Sequence, residues 1–184
     1  MKKAAPAVFL DRDGVLVQSV MRDGKISSPR NAAEFALIPD LRQPLEALAQ
    51  AGFLLFVVTN QPDLARKNLT QDTLNGFHGR LMEAAGGPHV IHKIYVCPHD
   101  NSDACACRKP APGMLLEAAK EWDVDLTRSY LVGDREVDMR AGKAAGCKTV
   151  LMSADYNRAV RADFVAGNLA DAARWIHEDR LQQV

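Results

Sequence analysis

The chain has no excess of charge, no long apolar run and only four cysteines. Its 23 Lys and Arg residues balance 23 Asp and Glu, for a formal net charge of +0, and no basic run appears. Sequence-independent binding to a nucleic-acid backbone therefore has no electrostatic footprint here. No apolar stretch approaches the roughly 20 residues that a membrane-spanning helix needs. The first apolar run, Ala4–Leu10, is cut by Asp11, Arg12 and Asp13 before it reaches the length of a signal-peptide core. Repeats, low-complexity tracts and linkers are also missing, so one domain over residues 1–184 is expected. This reading places the chain in the cytoplasm, where reducing conditions disfavour structural disulfides. Cys147 stands apart in an apolar segment and is expected to be a small buried core thiol.

What the chain does have is alternation. Short aliphatic runs at Ala7–Leu10, Phe53–Val58, Ile91–Val96, Ser129–Val132 and Cys147–Met152 read as strands buried on both faces of a parallel sheet. Between and after them lie helical patterns. Leu41–Ala51 follows Asp40 as N-cap, and a second helix runs from Thr70 to about Ala85. A third opens at Pro112 and ends at Trp122, Glu136–Ala145 stops at Gly146, and Asn168 caps the last. The spacing predicts a three-layer, Rossmann-like α/β fold with helices on both faces of the sheet and no large cap. Val15–Pro39 fits no regular element and is expected to form a flap over the site.

Polar residues recur where these strands end. They are Asp11-Arg12-Asp13-Gly14, Thr59-Asn60-Gln61, Arg108-Lys109 and Gly133-Asp134-Arg135, with Asp138 one helical turn further on. In a parallel sheet these positions share one edge, the edge where such folds bind ligands. Close carboxylates repel unless a cation joins them. Asp11, Asp13 and Asp134 together make a hard oxygen site suited to Mg²⁺ and a phosphate. Thr59, backbone amides near Asn60, and Lys109 would neutralise phosphoryl oxygens. D-x-D-G alone is also a plain strand-to-turn signal, but that reading leaves the later Thr, Lys and Asp unexplained.

The stretch Cys97-Pro98-His99-Asp100-Asn101-Ser102-Asp103-Ala104-Cys105-Ala106-Cys107 carries three thiols and an imidazole. Cys97, His99, Cys105 and Cys107 form a Cys₃His set, a standard closed arrangement for structural Zn²⁺. A disulfide would leave one cysteine over. A catalytic thiol is superfluous beside the carboxylates. Arg108, Arg66 and Arg135 are candidate substrate-binding cations, since guanidinium pairs with phosphate in bidentate geometry.

The ordered set D-R-D-G, T-N-Q, R-K-P and G-D-R resembles the haloacid dehalogenase-like phosphatases over about Val8–Gly146. The resemblance implies Asp11 as nucleophile and Asp13 as general acid and base, with Thr59 and Lys109 on the phosphoryl group. It also implies Mg²⁺ on Asp11, Asp134 and the carbonyl of Asp13, with Asp138 in support. C-P-H…C-x-C-R-K-P is similar to a zinc-loop branch that includes heptose 1,7-bisphosphate and histidinol-phosphate phosphatases. Thr59–Arg66 resembles the heptose enzymes more. The short His99–Cys105 spacing and Gly133-Asp134-Arg135 resemble the histidinol-phosphate enzymes more. Val15 departs from the Thr usual after D-x-D-G. The implied activity is hydrolysis of a small phosphorylated molecule by a monomer without nucleic-acid or membrane partners. The leading substrate is the heptose bisphosphate, attacked at its C7 phosphate during heptose precursor synthesis. Histidinol phosphate is the alternative, and a receiver-like phospho-switch or a zinc-dependent interaction protein are the non-enzyme readings.

Overall fold

The computed structural model describes residues 4–182. Its strands are β1 (Ala7–Leu10), β2 (Val20–Arg22), β3 (Lys25–Ser27), β4 (Leu54–Asn60), β5 (Lys93–Cys97), β6 (Tyr130–Gly133), β7 (Lys148–Met152) and β8 (Phe164–Ala166). Its helices are α1 (Arg42–Gln50), α2 (Gln71–Ala85), α3 (Gly113–Trp122), α4 (Glu136–Ala145) and α5 (Leu169–Leu181). Six strands pair in parallel in the order β5-β4-β1-β6-β7-β8. This is the predicted Rossmann-like sheet.

Every residue of β1 is buried, as a central strand covered on both faces requires. Its side chains alternate between two apolar layers. Val8 and Leu10 pack with residues of α1, α2 and α5, among them Leu45, Leu74 and Ile176. Ala7 and Phe9 pack with Met114, Leu115 and Ala118 of α3 and Ala141 of α4. Leu10, the last residue of β1, stands opposite both Val57 and Val132, and β4 and β6 run on past it to Asn60 and Gly133. The chain moves outward from β1 through β4 and β5, then returns to the other side of β1 as β6. The crevice beyond β1 and β6 is the place such sheets offer to ligands.

Most helix ends follow the local chemistry. Thr70 accepts from the Thr73 amide at 3.2 Å and Asn168 from the Asp171 amide at 2.9 Å. The first helix is a correction: Asp40 does not cap it. Asp40 takes a left-handed turn with φ 53°, and α1 starts after Leu41. Pro44 sits in its first turn, where a missing N–H leaves no bond unmade.

Val15–Pro39 is also corrected, because it contains the hairpin β2–β3. Val20 faces Ser27 and Met21 faces Ile26 across a tight turn at Asp23 and Gly24, both with positive φ. Strands of three residues are too short to show alternation. The same applies to β8, a three-residue edge strand missing from the sequence reading. Among the described residues, no helix is long and apolar enough to cross a membrane.

Candidate active site

Three strand-end and helix-start carboxylates meet at the crevice. Asp11 follows β1, Asp134 follows β6, and Asp138 lies in the first turn of α4. One oxygen from each lies within 4.8 Å of the others, and all three residues are buried. Two glycines make the approach possible. A Cβ on Gly14, whose φ is +84°, would lie 2.3 Å from Asp134 Oδ2. A Cβ on Gly133 would lie 2.3 Å from Asp138 Cβ. Burial, only partly offset by Lys109, pushes the Asp11 carboxyl up to about 7, and the three neighbouring aspartates add to the rise. Asp134 is raised for the same leading reason. Its Oδ1 is buried without a hydrogen-bond partner. Crowded, partly unsatisfied carboxylate oxygens are a donor set that fits a hard divalent cation.

Lys109 is the counter-charge. Its Nζ lies 2.9 Å from Asp11 Oδ1 and 2.6 Å from Asp138 Oδ1, and it donates to the Val58 carbonyl at 2.8 Å. The ammonium is thus paired with two carboxylates and hydrogen-bonded to one carbonyl. Burial works against the charge, but Asp11 and Asp138 outweigh it and raise the Lys109 pKa. Asn60 fixes the backbone beneath. Its Oδ1 accepts from the Lys109 amide and its Nδ2 donates to the Lys109 carbonyl, both at 3.1 Å. Asp138 is itself fixed by accepting from the Arg135 amide at 3.0 Å.

The Asp13 carboxylate stands apart from this cluster. Arg12, wholly buried, clamps it with Nε to Oδ1 and Nη2 to Oδ2, each at 3.0 Å. Ser28, just after β3, donates to Oδ2 at 2.7 Å, and the Gln61 amide donates to it at 2.9 Å. Gln61 also reaches Thr59 Oγ1 at 2.8 Å. Behind Arg12, His78 lies 3.4 Å away, and burial together with that guanidinium lowers its pKa to about 4. The hairpin segment thus forms one wall. Arg30 grips Asp63 through two bonds of 2.9 and 2.8 Å, and Arg135 donates to the Ile26 carbonyl at 3.3 Å.

The loop after β5 gathers Cys97, His99, Cys105 and Cys107. Sulfur–sulfur separations are 3.2–3.6 Å, and His99 Nδ1 lies 3.6 and 3.3 Å from Cys97 and Cys107. None of the cysteines is bonded to another. A tetrahedron of zinc–sulfur bonds has edges of about 3.8 Å, so the set has the dimensions of a tetrahedral metal site. Burial raises the Cys97 thiol to about 12 and adjacent thiols add to it, whereas at Cys105 burial is outweighed by hydrogen bonds that lower the thiol to about 7, so a cation is needed to ionise Cys97 beside its neighbours. The same loop holds two of the expected substrate cations. Asp100 pairs with Arg66 at 2.5 Å and is held down to about 2, chiefly by that guanidinium. Arg108 donates to the His99 carbonyl at 3.1 Å and to Asn101 Oδ1 at 2.5 Å.

A cleft of about 760 Å³ opens over Asp11 and Lys109, with Arg30, Arg66, Arg108 and Arg135 on its walls. A heptose-1,7-bisphosphate 7-phosphatase of Thermosynechococcus vestitus is 35% identical over 93% of this chain and 95% of its own length. The chain belongs to the haloacid dehalogenase-like phosphatases. The HAD-hydrolase-like family profile matches residues 106–172. A Bordetella bronchiseptica heptose-1,7-bisphosphate 7-phosphatase is 37% identical over 91% of this chain and 89% of that one. The crystal structure of a B. bronchiseptica D,D-heptose 1,7-bisphosphate phosphatase, complexed with magnesium and phosphate, superposes with a TM-score of 0.80. The two are 33% identical, over 97% of this chain and 99% of that chain.

Against this family background, most of the expected residues fall into three groups, while Thr59 is buried with its Oγ1 accepting from Gln61. Asp11, Lys109, Asp134 and Asp138 converge, and Cys97, His99, Cys105 and Cys107 converge separately. Arg66, Arg108 and Arg135 line the cleft between. Asp13 lines the cleft too, but its carboxylate is turned to Arg12. The sequence reading did not single out the Arg12 clamp, the Gln61 donor or Tyr156, whose Oη donates to Asp134 Oδ2, whereas Ser28 and Arg30 stood in the segment expected to form a flap. Arg12 and Gln61 stood inside quoted motifs and carried that signal. Tyr156 carried none.

Proposed function

We propose that the chain removes the C7 phosphate of D-glycero-D-manno-heptose 1,7-bisphosphate through an aspartyl-phosphate on Asp11. Mg²⁺ would be held by Asp11, Asp134 and the Asp13 carbonyl with Asp138 in support, and structural Zn²⁺ by Cys97, His99, Cys105 and Cys107. The observation that carries the substrate reading is the shared cleft. Asp11 and Lys109 lie at its floor, while Arg66, Arg108 and Arg135 line its walls. Guanidinium groups beyond the reacting centre suit a second phosphate, and the relatives above are named for a bisphosphate substrate.

In the first step an Asp11 oxygen forms a bond to phosphorus and the bond from phosphorus to the sugar oxygen breaks. Asp13 would give that oxygen its proton after its carboxylate turns from Arg12 toward the cleft. In the second step Asp13 takes a proton from water as the water attacks the same phosphorus, which frees phosphate and restores Asp11. Lys109 and Thr59 neutralise phosphoryl oxygens throughout. Bound Mg²⁺ adds positive charge where the cleft's lining cations, Arg30, Arg66, Arg108, Lys109 and Arg135, are matched by Asp11, Asp13, Asp63, Glu136 and Asp138.

Phosphate release with Mg²⁺ tests the assignment across heptose 1,7-bisphosphate, histidinol phosphate, other sugar phosphates and a 3′-phosphorylated oligonucleotide. The heptose bisphosphate is expected to give the highest kcat/KM, by about tenfold or more, since a lost charged contact costs at least about 1.4 kcal/mol. A dominant histidinol phosphate rate would overturn the substrate and leave the mechanism standing. For the loop, Cys105→Ser is expected to lose bound zinc and melt at lower temperature. Full zinc content by metal analysis would sink the structural-zinc reading.

A further inference from the structure

The turn Asp155–Asn157, between β7 and β8, reaches back over the crevice to residue 134 with two side chains. Asn157 is buried. Its Nδ2 donates to the Asp134 carbonyl at 2.7 Å and to the Met152 carbonyl at 2.8 Å, and its Oδ1 accepts from the Ala154 amide at 2.9 Å. These bonds fix the turn against both β7 and the start of the β6–α4 connection. Tyr156, next in line, donates its phenol to Asp134 Oδ2. The ring is about half exposed, so apolar burial does not account for its placement.

The two oxygens of Asp134 consequently have different surroundings. Oδ2 lies over Gly14, in space that any side chain there would fill, and receives the phenol. Oδ1 is buried and accepts no hydrogen bond, with Arg135 Nε 3.9 Å away. A carboxylate with one oxygen occupied by a donor presents the other in a fixed direction, as groups behind a metal ligand commonly do.

We propose that Tyr156 is a positioning residue for the metal carboxylate: by occupying Oδ2 it orients Asp134 so that Oδ1 is presented to the divalent cation. Asn157 secures the turn that carries it. This rests on the reading of Asp134 as an Mg²⁺ ligand. The residue lies outside every motif that defines the strand ends, in a connection with no regular strand or α-helix of its own.

Mg²⁺ itself is the probe, titrated calorimetrically into zinc-loaded, substrate-free protein. Tyr156→Phe keeps the ring and removes only the hydroxyl. It is expected to weaken Mg²⁺ binding by about 10-fold or more, with unchanged zinc content and melting temperature in magnesium-free buffer. The Mg²⁺ concentration for half-maximal phosphate release should rise in parallel, while kcat at saturating Mg²⁺ stays within about twofold. Tyr156→Ala, a second variant, should weaken Mg²⁺ at least as much. Asp134→Asn should bind none. If Asp134→Asn fails to bind while Tyr156→Phe binds as the parent does, the positioning role is overturned and the metal site stands. If Asp134→Asn also binds normally, the underlying metal reading falls and the proposal with it. A drop in kcat with unaltered Mg²⁺ affinity likewise overturns the positioning role.

Discussion

Asp11→Asn is expected to stop phosphate release, with kcat reduced by about 10⁴-fold or more, because the proposed aspartyl-phosphate forms on that carboxylate. The substitution is nearly isosteric and removes one of three buried carboxylates that lie within 4.8 Å. Burial already pushes Asp11 up to about 7, so its ionised form is costly to the fold near neutral pH. The inactive variant should therefore melt no lower than the parent in magnesium-free buffer. Steady-state phosphate assays and thermal melts measured side by side test both halves. Turnover within about tenfold of the parent would remove Asp11 as nucleophile. A parent protein that accumulates stable phosphate on Asp11 without turnover would instead mark a phospho-switch.

The second large effect belongs to Lys109, and it has the opposite sign for stability. Lys109→Met keeps the aliphatic stem but deletes the ammonium that touches Asp11, Asp138 and the Val58 carbonyl. Removing one partner of a buried ion pair costs about 3–5 kcal/mol, since the other charge stays buried without compensation. Urea unfolding in magnesium-free buffer should show a loss of that order, and kcat/KM should fall by about 10³-fold or more. Added Mg²⁺ should return part of the stability, because a dication neutralises the same carboxylates. Lys109→Met combined with Asp138→Asn should also recover stability while remaining inactive. A single variant within about 1 kcal/mol of the parent would show that Lys109 is not the charge on which the cluster depends.

The two largest effects fall on residues that the sequence made legible, and the reason is geometric. In a parallel sheet, the residues after each strand share an edge whatever the helices between them do. Asp11, Lys109 and Asp134 could therefore be grouped before their distances were known. Helix ends at Thr70, Gly146 and Asn168 were legible because their side chains or their lack of one act on the nearest backbone. Asp40 misled for the same local reason, as an aspartate tolerates the left-handed turn it occupies as well as a cap.

Contacts between distant loops were not legible. Arg12 turns its side chain back on its own neighbour Asp13 once the strand ends at Leu10, and no periodicity describes chain beyond a strand. Ser28 reaches Asp13 only because Asp23-Gly24 folds the hairpin, a turn signal present but flanked by strands of three residues. Tyr156 meets Asp134 from 22 positions further along the chain.

The placement of Arg66 and Arg108 separates two traits that usually change together. Both side chains are held by acceptors of the cysteine-bearing loop, Asp100, Asn101 and the His99 carbonyl, and not by residues of either apolar layer. Asp100 and Asn101 lie outside both apolar layers, so the acceptors that hold these arginines can change without repacking the sheet. On the proposed assignment of Arg66 and Arg108 to the substrate, preference can drift through this short segment, while the apparatus at the strand ends stays under separate constraint.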